Sequence, residues 1–262
     1  MPSRKLLLDV LTRPLGLSDQ ATLLSLRHGA VNTVYKLSDG ARFFAVKVMG
    51  DGGVTGVDHE VQFALQKRVA DKKLAPTPVW LSPGRDIWVE QWVSDPNKLS
   101  DDALVSALAY GLCQIHQCRV RAPALNLAKR WRRHIQLAKP VLPAQILRQA
   151  ERLIVRHNLA DDNNPAWVLC HNDLSFSHIL DAKTPLITDW EYAALGNRYF
   201  DLAASAHING LSASAQHSLF SQYADLAQLP KDDVLEACKE HVPVVEMTAM
   251  LWQAAIEYHR SM

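Results

Sequence analysis

The chain of 262 residues has four cysteines, Cys113, Cys118, Cys170 and Cys238, and spaces them without a pattern. They form neither a C-x-x-C pair nor a tight framework, which argues against a zinc ribbon or a disulfide scaffold and for reduced thiols filling the core. The chain also lacks any apolar run near the roughly 20 residues that span a bilayer. Leu6-Leu7-Leu8 follows Arg4 and Lys5, but Asp9 and Arg13 interrupt it well short of a secretory hydrophobic core. A cytoplasmic protein without a membrane partner is the expectation. Net charge is nearly absent: 28 Lys and Arg stand against 27 Asp and Glu, so no global field recruits nucleic acid. Hydrophobic residues make up 48% of the chain, which excludes disorder and allows one large domain or two lobes.

Charge is nonetheless uneven. Residues 160–262 hold five Lys or Arg against fourteen Asp or Glu. Solvated helix surface is the ordinary explanation; an acidic wall for a divalent cation or a cationic ligand is the functional one.

From Thr22 to Val48 short β-prone runs alternate with turns. Leu23 to Leu26, Val34 to Leu37 and Phe43 to Val48 read as three antiparallel strands, the last two joined at Asp39-Gly40, a strong hairpin signal. Gly50 to Gly56 is a glycine-rich connection. A helix follows, with Val61, Leu65 and Val69 four apart, ending before Pro76. Trp80-Leu81 and Ile87 to Val93 add two strands about Ser82-Pro83-Gly84. Residues 1–93 therefore read as a five-stranded sheet carrying one helix. Beyond Asp95-Pro96 the pattern is helical: Asp101 or Asp102 can cap a helix with Leu104, Leu108, Leu112 and Ile115 on one face, and further helices are expected over 127–139, 143–158, 213–227 and 232–260, with Pro140 and Pro243 ending or kinking helices. The fold class is α+β, a small antiparallel sheet lobe (1–93) before a larger helical lobe (94–262).

The chemistry concentrates in Leu169-Cys170-His171-Asn172-Asp173-Leu174, running on to Ile179-Leu180, and in Leu186-Ile187-Thr188-Asp189-Trp190-Glu191. Phosphoryl transfer to an alcohol needs a carboxylate that takes the hydroxyl proton and carboxylates that hold a metal on the phosphates. His171-x-Asp173 has the form of such a catalytic loop, and Asp189 follows a short apolar strand. With Ala193 and Phe200-Asp201-Leu202-Ala203, three blocks in order resemble the aminoglycoside phosphotransferase and choline/ethanolamine kinase superfamily. The resemblance implies a protein-kinase-like bilobal fold, ATP and Mg2+ as cofactors with Mn2+ an alternative, Asp173 as catalytic base beside His171, and Asp189 as metal ligand.

It also implies nucleotide contacts in the N-terminal lobe. Lys47, in Phe-Ala-Val-Lys-Val, stands where a phosphate-binding lysine belongs, with Glu60 as its ion-pair partner. Glu90, Gln91 and Trp92 would meet adenine through their backbone. Gly29 and Asn32 would shape a phosphate loop that has one glycine in place of G-x-G-x-x-G. Asp189 is followed by Trp-Glu, not Phe-Gly, and no A-P-E block appears, which disfavours a protein substrate. The acceptor is expected to be a small-molecule alcohol. Asp-Trp-Glu-Tyr-Ala is similar to choline kinases and to compact bacterial thiamine kinases, implying a cationic acceptor held by Glu191, Tyr192 and Trp252. Trp190, Tyr199 and Tyr258 are further candidates for an aromatic cage. An antibiotic-modifying phosphotransferase shares every catalytic residue, and the oligomeric state stays open.

One position departs from the family. Five residues after Asp173, where a metal-binding Asn belongs, stands His178. Imidazole suits softer first-row metals better than magnesium. Three consequences are open: Asp189 and water suffice, manganese is favoured, or the chain binds nucleotide without turnover.

Overall fold

A computed structural model describes residues 3–28, 32–50, 55–94, 101–161, 164, 166–181 and 185–261. Its first element is a helix that the interrupted Leu6-Leu7-Leu8 run does not announce. In α1 (Arg4–Leu15) the Ser3 hydroxyl caps the Leu6 amide, and Gly16 closes the helix at φ 57°. Leu7, Leu11 and Leu15 recur every four residues and bury one face against the sheet, while Asp9 and Arg13, which break the run in sequence, face solvent. The N-terminal lobe thus carries a second helix beyond the one expected.

All five expected strands form. β1 (Thr22–His28), β2 (Thr33–Asp39), β3 (Arg42–Val48), β4 (Pro78–Leu81) and β5 (Ile87–Gln91) pair antiparallel in the order β1-β2-β3-β5-β4. The β2–β3 turn lies at Asp39-Gly40, where Gly40 takes the left-handed φ of 61° that a side chain would resist. Between β3 and β4, α2 (His59–Ala70) starts on Asp58, whose carboxylate accepts from the Glu60 and Val61 amides. Its Leu65 and Val69 reach the core of the other lobe, whereas Val61 stays 40% exposed.

The second lobe is built from α3 (Asp101–Gln117), α4 (Leu127–Ala138), α5 (Ala144–Arg156), α6 (Arg198–Ile208), α7 (Ala213–Ala227) and α8 (Lys231–Ser261). Helix α8 runs through Pro243, which neither ends it nor divides it into two elements. Proline removes one intrahelical bond. Flanking side chains Val244, Val245, Met247 and Leu251 bury against α4 and α6 and hold the helix together. Between α5 and α6 two short ladders lie on α3: β6 (Val168–Cys170) with β9 (Ala194–Gly196), and β7 (Ile179–Asp181) with β8 (Leu186–Ile187). Leu169, Ile179 and Ile187 join Leu108, Leu112 and Ile115 of α3 in one core. The loops leaving β6 and β8 are therefore mounted on packed strands.

Among the described residues no helix is long and apolar enough to cross a membrane.

Candidate active site

Strand β6 runs into the loop of His171, Asn172 and Asp173, of which Asn172 and Asp173 line the cleft between the lobes. The amides of His171 and Asn172 donate to the two carboxylate oxygens of Asp201 at 2.8 and 2.7 Å. Asp201 is fully buried and accepts or shares a third contact at 3.1 Å with His116 Nε2, whose Nδ1 meets the Tyr223 hydroxyl at 2.7 Å. Burial works against the Asp201 charge, but these bonds outweigh it and hold the pKa below the ordinary carboxylate value. Asp201 is not the cap of α6, a task that Asn197 performs through the Tyr199 amide. It is the post to which the catalytic loop is tied. Cys170 joins His116 and Asp201 with ligand atoms within 4.8 Å of one another. The hydrogen bonds already fill the Asp201 and His116 atoms, so this cluster is a structural network and not a metal site.

Asn172 and Asp189 both take left-handed backbone, at φ 65° and 70°. Such conformations cost on the order of 1–3 kcal/mol each and persist where surrounding bonds enforce them. Here the enforcing bonds are visible: Asn172 Nδ2 donates to the Tyr192 carbonyl at 2.9 Å, and His171 Nε2 donates to the Thr188 carbonyl at 3.0 Å. His171 is wholly buried and does not line the cleft. Burial, followed by His178, depresses its pKa to about 4, so the ring is neutral. His171, expected to act beside the base, stands back from the cleft and holds the Asp173 loop to the Asp189 loop from behind.

Asp173 is partly buried, and its pKa lies well above the usual value because of burial and the nearby charges of Asp189, Glu191 and Asp201. Asp189 shows the opposite balance. Burial opposes its charge, but Lys47, His178 and His171 hold it below the ordinary value. Two carboxylates in one cleft are thus driven apart, one toward proton acceptance and one toward permanent charge.

Lys47, 8% exposed, places its ammonium 3.4 Å from both Asp189 Oδ1 and Glu90 Oε1. Burial works to lower its pKa, and the carboxylates of Glu90, Asp189 and Glu191 more than reverse that. The expected partner, Glu60, is elsewhere. It is 64% exposed at the start of α2 and pairs with Arg85. Its place is taken by Glu90, 2% exposed, whose second oxygen accepts from Gln66 Nε2 at 2.8 Å and Trp88 Nε1 at 3.1 Å. The Glu90 side chain therefore serves as the ion-pair partner of Lys47. Gln91 and Trp92 line the cleft, yet their amides are engaged with the Thr77 and Phe43 carbonyls at 2.8 and 3.1 Å. The next cleft-lining amide, that of Val93, has no backbone partner among the described residues. Gly29 lies outside the described residues. Asn32 bridges the lobes: its Nδ2 donates to Glu191 Oε2 at 2.9 Å, and its Oδ1 accepts from the Gly50 amide at 3.1 Å. Burial and the neighbouring Asp189 raise the Glu191 pKa to about 7.

His178 lies beside Asp189, with Nε2 3.5 Å from Oδ2. Its Nδ1 is 2.9 Å from the Asp173 carbonyl oxygen. A carbonyl only accepts, so Nδ1 carries the proton; the Ser175 amide, 3.4 Å from the same nitrogen, is then a neighbour and not a donor to it. When the ring is neutral, Nε2 turns a lone pair toward the carboxylate, and the two ligand atoms could hold a cation between them.

The cleft encloses about 840 Å³, ample for a nucleotide and a small acceptor. Leu26, Val34, Ala45 and Leu180 line its apolar side, and Asp173, Asp189 and Glu191 its acidic side. Of the aromatic candidates only Tyr192 and Trp252 reach it. Trp190 is fully buried with its indole donating to the Ile187 carbonyl, and Tyr199 packs beside His241. The acidic excess of the last hundred residues does not form a wall: Asp225, Asp232, Asp233, Glu240, Glu246 and Glu257 lie on exposed helical surface. Sequence reasoning passed over Arg130 and His134 of α4, which also line the cleft. Their i, i+4 spacing was the available signal, hidden inside the basic run Lys129 to Arg133.

Residues 22–241 match the family model described as the phosphotransferase enzyme family. A LicA homolog of Mycoplasma capricolum subsp. capricolum is 21% identical over 204 residues, covering 77% of this chain and 79% of its own. The choline kinase of Cryptosporidium parvum Iowa II superposes with a TM-score of 0.72 at 14% identity, covering 97% of this chain and 92% of that one. LicA in complex with AMP gives 0.74 at 17% identity, covering 98% and 92%. The fold is the protein-kinase-like bilobal one.

Proposed function

Given that the chain belongs to the phosphotransferase enzyme family and is an ATP-dependent small-molecule kinase, we propose that it phosphorylates the hydroxyl of a small cationic alcohol, of the choline, ethanolamine or thiamine type. The observation that carries the reading is the convergence of Asp173, Asp189 and Lys47 on one cleft, with the two carboxylates tuned in opposite directions.

Adenine would occupy the apolar side between Leu26, Val34, Ala45 and Leu180, with the phosphates reaching Lys47. Asp189 and His178 would hold the divalent cation, which when bound neutralises charge on the phosphate oxygens. Asp173 orients the acceptor hydroxyl and takes its proton as the oxygen bonds to the γ-phosphorus. The bond from that phosphorus to the β,γ-bridging oxygen breaks, and ADP leaves with the electron pair. Lys47 meets the negative charge that gathers on the phosphates during transfer, and its contacts to Glu90 and Asp189 keep its ammonium in place. Glu191 and the Tyr192–Trp252 pair border the acceptor end, where a carboxylate and ring faces suit an amine.

The test is transfer of labelled phosphate from ATP across choline, ethanolamine, thiamine, homoserine and an aminoglycoside, with magnesium and manganese in separate series. Product from an amino alcohol supports the reading. A preference for the aminoglycoside would reassign the acceptor. Nucleotide binding without product on any acceptor would favour the rival, a nucleotide-binding module without turnover, for which His178 at the metal position is the one supporting observation.

A further inference from the structure

Two residues of the cleft have no task in the transfer chemistry. Arg130 and His134 stand one turn apart on α4, so they share a face. The Arg130 guanidinium lies over the Tyr192 ring, 5.3 Å from its centroid. Among the described residues no carboxylate comes within ion-pair distance of it. His134 is 1% exposed, and neither ring nitrogen has a hydrogen-bond partner among the described residues. Burial, with Arg130 and Arg133, depresses its pKa to about 4, so the ring is neutral with one N–H to give.

A buried polar group left without a partner costs roughly 1–3 kcal/mol, and a desolvated charge costs more. Such groups at the wall of a cavity are satisfied by what enters it. The neighbouring polar groups are already engaged. Thr248 Oγ1 accepts from Trp131 Nε1 at 2.9 Å and donates to the Val244 carbonyl at 2.8 Å. The polar capacity left at this end is a guanidinium, which only donates, and a neutral imidazole with one N–H donor and one acceptor nitrogen. A purely cationic acceptor would meet Arg130 as a like charge. An oxyanion would meet a planar fork suited to it.

We propose that Arg130 and His134 bind an oxyanionic group, a carboxylate or a phosphate, that the acceptor carries in addition to the hydroxyl it offers for phosphorylation. The acceptor is then an acidic or zwitterionic alcohol, its amine toward Glu191 and its acid toward α4. This rests on the kinase reading above and adds an acid to the cationic alcohol proposed there; choline, ethanolamine and thiamine themselves carry none. The γ-phosphate of the nucleotide is the other oxyanion within the same cleft. Arg130 lies over Tyr192, and the carboxylates near enough for their charges to act on it are Asp173, read above as the base, and Glu191, read above as bordering the acceptor. That placement favours the acceptor.

Matched probes separate the sources. L-Homoserine against 3-aminopropan-1-ol isolates a carboxylate, and glycerol 3-phosphate against glycerol isolates a phosphate. Binding is measured by calorimetry on the full chain with a non-hydrolysable ATP analogue and Mg2+ or Mn2+, and transfer is measured in parallel with ATP. In at least one pair the acidic member should bind ten-fold or more tightly than its partner. Arg130→Met should bring that ratio near one, Arg130→Lys should leave it intermediate, and analogue affinity, which also reports an intact fold, should stay within two-fold. No acid preference in either pair overturns the proposal, as does an Arg130→Met variant that loses the analogue instead of the acidic probe. Arg130-dependent acid binding without transfer would keep the site and remove the kinase reading; transfer without acid preference would do the reverse.

Discussion

Lys47 pairs with Glu90 across neighbouring strands and not with Glu60 of the helix that follows it. The register sets Ala45 opposite Glu90, so Lys47, two residues on, reaches Glu90 along a diagonal on the same sheet face. Glu60 points to solvent and to Arg85.

Removing the Glu90 charge while keeping its shape, Glu90→Gln, leaves Lys47 with one carboxylate fewer in a buried site. ATP affinity or kcat/KM should fall by about ten-fold or more, the scale of a lost charge-assisted contact. Glu60→Gln should stay within about two-fold of wild type, as expected at an exposed ion pair. Equal losses in the two variants would return Glu60 to the site.

Asp173→Asn should retain the fold and bind ATP while turnover drops by about two orders of magnitude or more, the contribution of a positioned general base. Asp189→Ala should instead weaken nucleotide binding in the presence of metal and leave metal-free binding unchanged. Steady-state kinetics and calorimetry with and without Mg2+ resolve the two outcomes. Metal-independent behaviour of Asp189→Ala would remove it as a ligand.

His178→Asn exchanges an imidazole nitrogen for an amide oxygen beside Asp189. The magnesium-supported rate should rise and any manganese advantage narrow, because the harder ligand suits the harder ion. Electron paramagnetic titration of Mn2+ should show weaker ion binding by the variant. Unchanged Mn2+ affinity would place His178 outside the coordination shell.

His134 gives a signature in stability against pH. Its folded pKa, about 4, lies below the ordinary 6.5, so below about pH 6.5 the unfolded chain takes up a proton that the folded chain refuses. Stability from this group is complete above pH 6.5 and declines as pH falls toward 4, by about 2 kcal/mol between pH 7 and 5. His171, depressed likewise, acts with the same sign. Denaturant midpoints should therefore drop between pH 7 and 5 in wild type and drop less in His134→Leu. Parallel curves would mean that His134 is protonated in the fold.

The local elements were legible because their causes are local. The Asp39-Gly40 turn, the β-prone runs beside it, and the apolar spacing of Leu104, Leu108, Leu112 and Ile115 depend on residues within a few positions of one another, and the structure contains the strands and helix they announce. The ordered blocks around Asp173, Asp189 and Asp201 were legible for a different reason, since their chemistry restricts both residue type and spacing. Helix α1 was hidden because Asp9 and Arg13 interrupt its apolar run in sequence while standing on its far side in space.

Partnership was decided by tertiary structure alone. Whether Lys47 meets Glu60 or Glu90 depends on strand register across more than forty residues, and whether His171 enters the cleft depends on a carbonyl seventeen residues away. The tail's acidity read along the chain resembled a wall, yet helix rotation turns most of it to solvent, while Arg130 of α4 lines the cleft. Sequence determines which groups are available and what local backbone they favour; packing decides which of them lose water, and a charge acquires a partner, a shifted pKa or a ligand only once that has happened.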